Sequence, residues 1–231
     1  ARNALNAIEL GVLTTEPDTD GRIHITLEVA GECIQKRALK YDKDGDNHYD
    51  TISAFIKSMR GSDPDATVYY LARMLSAGED VKFIARRIMI CASEDVGNAD
   101  PNAIVVAVSA AQAVERIGMP ESQIILAQAA SYVAMAPKSN SSVMAIDKAM
   151  AYVASNPAYH IPPYLQDAHY SKAKDLERGI GYMYAHDYKN HYANQQYLPD
   201  EVVGESFYEL SDMGYERKLK EHMDKIRREA T

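Results

Sequence analysis

An all-α fold is what this sequence predicts: a multi-helix bundle followed by a long, irregular, tyrosine-rich C-terminal arm. Three observations lead there. From about Asn47 to Pro157 apolar residues recur at helical spacing in one segment after another. Most of these segments open on Asp, Ser or Pro and close on Gly or Pro, and the links between them are short. After Pro157 the period fades, and ten of the sixteen tyrosines with four of the seven histidines fall between residues 159 and 215.

Taken in order, ARNALNAIEL is a helix with Ala4, Leu5, Ile8 and Val12 on one face, followed by the acidic loop TEPDTDG. RIHITLEVAGECIQKRAL starts with an extended run at Ile23 and Ile25 and enters a helix that Thr26 can cap. TISAFIKSM places Ile52, Phe55, Ile56 and Met59 on one stripe and stops at Gly61. In SDPDATVYYLARMLSAG, Ser62 or Asp63 is the cap, Pro64 sits where a missing N–H costs nothing, and Val68, Leu71, Ala72 and Leu75 are expected inward. EDVKFIARRIMICASEDVG runs from Glu79 and Asp80 to Gly97, ADPNAIVVAVSAAQAVERIG has Asp100 before Pro101, and MPESQIILAQAASYVAMAP has Pro120 near its start. SSVMAIDKAMAYVASNP closes the series, capped by Ser141 or Ser142 and ended at Asn156-Pro157. Alanine at many apolar positions implies closely packed antiparallel neighbours, and also less buried area per turn, so a partner surface would add stability. The segment from 159 to 215 is too aromatic for a disordered tail and reads as an arm packing tyrosine rings on the bundle or on a neighbouring subunit.

The 231 residues, 46% hydrophobic and 25% charged, suffice for one large domain or two small ones. AIVVAVSAAQAV, Ala103 to Val114, is the longest apolar candidate and is too short for a membrane span, and the N-terminus shows no signal-peptide core; a cytoplasmic location is expected. Cys33 and Cys91 lie in apolar-periodic segments without a CxxC partner and read as buried free thiols. A formal charge of −8 argues against strong nucleic-acid binding by the chain alone. In YERKLKEHMDKIRREAT six Lys or Arg face four Asp or Glu, a mixed-charge helix face on which Glu216, Lys220 and Asp224 can pair.

Candidate chemistry is sparse. YDKDGDNHYD, residues 41 to 50, resembles a calcium loop, but counted from Asp42 its glycine falls at position 4 instead of 6 and position 12 is Ser53. It fits better as a turn at Asp44-Gly45 and a cap at Asp46, Asn47 or Asp50. HDYKNH, His186 to His191, has one zinc-compatible spacing without two further ligands nearby, so no metal site is assigned. GxSxG, GxxxxGK[ST] and GxGxxG are absent, and at Gly179-Ile180-Gly181 the third glycine position is Tyr184. Arg86-Arg87 with Glu94-Asp95 reads as an ion-pair network ahead of an active-site cluster.

The words YDKDGDNHYDTISAFIKSMRGSDPDATVYYLARML, GEDVKFIARRIMICASEDVGNADP, APKSN and HDYKNHYANQQYLPDE, in this order, resemble the C-terminal region of the RarA/MgsA family of AAA+ ATPases, relatives of the Werner-helicase-interacting ATPase. The resemblance implies a bundle like the clamp-loader collar that makes the protein a tetramer. It also implies a parent that uses ATP and magnesium, acts in replication, recombination and repair at stalled forks, meets DNA and single-strand-binding protein, and is associated with the nucleoid. Residues 1–40 correspond to the end of the ATPase lid and 41–231 to the helical oligomerisation domain. Arg2 matches the sensor-2 arginine, although the Gly-Asp before it is absent here. The fragment itself is expected to need no cofactor and to hydrolyse no ATP.

The leading expectation is an oligomerisation domain, tetrameric, or dimeric as an isolated fragment. Its subunit contacts are expected on the helix 64–77 with Tyr69, Tyr70 and Arg73, at the SEDVGNADP turn with Glu94 and Asp95, and along the arm with Tyr188, Tyr192 and Tyr197. Two alternatives stay open: a metal-assisted hydrolase using segment 159–215, and a DNA-contacting module acting through the final helix.

Overall fold

The helices start where short polar residues and prolines place them. A computed structural model describes residues 8, 11–12, 15–30, 46–168 and 178–230. Arg2, Cys33, the boundary expected near residue 41 and the side chains of Asp46 and Asn47 lie outside the described residues. Among the described residues the regular structure is helical, without a strand. From residue 46 on, seven α-helices follow one another among the described residues: α1 (Asp46–Arg60), α2 (Pro64–Ser76), α3 (Val81–Cys91), α4 (Asn102–Ile117), α5 (Ser122–Met135), α6 (Ser141–Ser155) and α7 (Gly214–Glu229). Because α1 already begins at Asp46, Asp50 stands in its second turn and does not cap it. Before the bundle, residues 22–26 pair with no strand, and Thr26 caps the turn from Leu27 by accepting the Val29 amide at 3.2 Å.

The described residues divide into two compact units, one within 1–88 and 107–135, the other within 89–106 and 136–231. In the first, α1 packs on α2 and α5 packs on both. Its core is large and apolar: Phe55, Met59, Leu71, Met74, Ile84, Ile88, Leu126 and Val133 are all essentially inaccessible. A buried Phe or Leu contributes about 1.5–3 kcal/mol relative to exposure. Local chemistry sets the entry to α2. Asp63 Oδ1 accepts the Ala66 amide at 2.9 Å, and Pro64 occupies the first turn.

One expectation fails on α2. Val68 is 41% exposed and Ala72 is exposed as well, while Thr67, Leu71 and Met74 face the core. The Thr67 hydroxyl donates to the Asp63 carbonyl at 2.7 Å and lies 3.2 Å from Ser58 Oγ. With its polar atom satisfied, a threonine can occupy a buried position and rotate the whole apolar stripe by one residue.

The second unit has a smaller, alanine-rich apolar core: Cys91, Ala92, Val96, Ala99, Ala103, Ala136, Ala193, Val202 and Ile226. Cys91 is the buried free thiol expected of it. The arm is a chain of short 3₁₀ turns at Pro163–Leu165, Ala185–Asp187, Lys189–His191 and Asp200–Val202, in line with the loss of helical period.

Candidate functional site

Two of the sequence words that carry the resemblance meet in the second unit. The last turn of α3 widens into a π-helical turn, Ala92–Val96, which ends at Gly97 with φ of 52°. A Cβ there would lie 3.2 Å from the Ser139 carbonyl, so glycine lets the SEDVG turn approach the APKSN segment, where the Ser139 amide donates to the Asp95 carbonyl at 2.8 Å. Asp95 is buried and its Oδ2 accepts the Cys91 thiol at 3.2 Å. Burial pushes the pKa of the nearby Lys138 ammonium down, partly countered by Cys91 and Asp95, and its Nζ donates to the Ala136 carbonyl at 2.7 Å.

The start of α7 closes this corner. Gly214 has φ of 51°, and a Cβ on it would fall 2.2 Å from the Ala99 carbonyl oxygen and 2.7 Å from Pro137. Two residues on, Glu216 is completely buried. Its Oε2 accepts from Ser139 Oγ at 2.8 Å, Ser141 Oγ at 3.2 Å and the Ser211 amide at 2.8 Å. Tyr208 Oη, which accepts from Asn98 Nδ2 at 2.7 Å, stands 3.5 Å from Oε1. Burial alone would raise the Glu216 pKa. The hydrogen bonds from Ser211, Ser139 and Ser141 outweigh it and hold the carboxyl below its ordinary value. The arrangement is a carboxylate lock made from neutral donors. It positions backbone.

Lys220 accordingly has another partner. Its Nζ lies 2.8 Å from Asp212 Oδ1, so the surface pairing expected between Glu216 and Lys220 gives way to a buried role for Glu216. At the far end of α7, Glu229 Oε2 binds Asn190 Nδ2 at 2.9 Å and Lys189 Nζ at 3.1 Å, which ties the HDYKNH turn to the helix. The His186 and His191 rings lie tilted at 50° with centroids 4.8 Å apart, next to Tyr184. Among the described residues no group of three His, Cys, Asp or Glu side chains could hold a metal ion.

The candidate contact residues sit in different settings. Tyr69 is 58% exposed, its ring edge-on to Tyr70 at 5.2 Å and the Arg73 guanidinium 6.0 Å from its centroid. Tyr188 and Tyr197 are exposed, Tyr192 and Glu94 are half-buried, and the Asp95 carboxylate is committed to the corner. Beside Tyr69, the rotated stripe of α2 opens a groove of about 300 Å³ against α5, lined by Val68, Leu71, Ala72, Leu75, Met119 and Ala127 together with the polar Ser76 and Gln123. Elsewhere α4 turns alanines inward and leaves Ile104, Val105 and Val108 outside, and α6 exposes Met144, Ile146, Met150 and Val153.

Residues 61–227 match the family model described as MgsA AAA+ ATPase C terminal, and residues 1–60 match the AAA C-terminal domain. This chain belongs to the MgsA AAA+ ATPase C-terminal family. It is 48% identical over 226 residues to replication-associated recombination protein A of Bacillus subtilis, covering 97% of this chain and 53% of that protein. The Escherichia coli K12 protein of the same name is 40% identical over 224 residues, 96% of this chain and 50% of that protein. ATPase WRNIP1 of Dictyostelium discoideum is 35% identical over 225 residues, 90% of this chain and 26% of that protein. The chain thus spans about half the length of its bacterial relatives. Within this C-terminal AAA+ domain, the residues that sequence reasoning missed are Ser139, Ser141, Gly214 and Glu216. The available signal was a glycine two residues before a glutamate at the head of a helix, where Gly214 permits an approach that no other residue would.

Proposed function

We propose that this chain is the assembly domain of a AAA+ ATPase that works in replication-associated recombination, holding copies of the ATPase together as a tetramer. The observation that carries the reading is the number of large apolar side chains left outside on well-formed helices: Val68 on α2, Ile104, Val105 and Val108 on α4, and Ile146, Met150 and Val153 on α6. Surfaces of that kind mark contact with another macromolecule. Tyr69, Tyr70 and Arg73 border one of them and are assigned to the contact, with Tyr188 and Tyr197 supplying ring surface from the arm. ATP and magnesium belong to the parent's ATPase half, toward which Arg2 would act as sensor, and action at stalled forks with DNA and single-strand-binding protein belongs to the assembled parent. Four copies would sum weak contacts to such partners. Light scattering with sedimentation velocity at tens of micromolar tests the reading: a tetramer, or a dimer for the fragment alone, supports it, and a strict monomer overturns it.

The DNA-contacting reading has one observation of its own. With Glu216 buried, the exposed side of α7 keeps Arg217, Lys218, Lys225, Arg227 and Arg228 against Glu221, Asp224 and Glu229. If α7 touches single strands, binding falls steeply with salt; no binding at low salt dismisses it.

A further inference from the structure

No further inference is drawn: the strongest candidate, the exposed apolar face of α6 at Ile146, Met150 and Val153, carries nothing beyond the assembly reading, because nothing in the structure shows what covers it.

Discussion

The two units of this domain are held by different physics. The first buries large side chains from successive helices, with Phe55 and Met59 fully inaccessible, and its polar requirements are met locally, as at Asp63 and Thr67. The second has mostly alanine inside and is tied by one carboxylate, two glycines at backbone contact distance and hydrogen bonds between distant segments. Hydrophobic burial is nondirectional and tolerates adjustment, whereas a buried carboxylate demands every one of its donors. The second unit, where the SEDVG and APKSN segments meet, is therefore the one whose geometry depends on individual atoms.

The largest effect that would break this contrast is expected in the first unit. Phe55→Ala should cost about 3–5 kcal/mol, since it combines lost transfer energy with a cavity among close-packed helices. Urea denaturation checks it; a loss below 1 kcal/mol would mean the site collapses freely and the core is not what holds the unit. Next comes Glu216→Ala, expected to cost about 1–3 kcal/mol by stranding the Ser211 amide and the Ser139 and Ser141 hydroxyls. Hydrogen exchange should localise that loss to α7 and residues 137–141, leaving α1 and α2 protected.

Acid separates the units further. Because the folded pKa of Glu216 lies below its ordinary value, its contribution is fully present above the unfolded pKa, about 4.3, and is lost as pH falls through the lower folded value. Amide protection of α7 should thus drop below about pH 4 before that of α1, and Glu216→Gln should flatten this dependence. An unchanged acid profile in the glutamine variant would remove the carboxylate from the lock.

What was legible in the sequence follows the same division. The Asp63-Pro64 start, the Gly61 stop and the Thr26 cap are local devices, and each is in place. The all-helical class and the irregular arm also follow from periodicity and its loss. Glu216 was illegible because two of its partners lie 77 and 75 residues away, while Lys220, one helical turn along, offers a plausible but wrong partner. On α2 the sequence is apolar on two sides, and only the hydroxyl bonds of Thr67 decide which of them turns inward. Among the candidate contacts, Tyr69 is exposed, whereas the burial of Asp95 goes with a π-turn that no local pattern announced.

The smallest expected effects sharpen the comparison at the helix starts. Asp63→Ala removes a side-chain cap and should cost about 1 kcal/mol, with faster exchange at the Ala66 amide. At the equivalent place in the second unit, Asn140 precedes α6 without any side-chain cap hydrogen bond. Asn140→Ala should therefore leave stability within about 0.5 kcal/mol of the parent. The entry to α6 is held instead by Ser139 Oγ, which accepts the Ser141 amide at 3.2 Å, and from a distance by Glu216, which takes the Ser141 hydroxyl. If Asn140→Ala proved as costly as Asp63→Ala, α6 would be capped by Asn140 after all. The second unit would then begin its helices by the same means as the first, and the long-range lock would lose its claim to that end of α6.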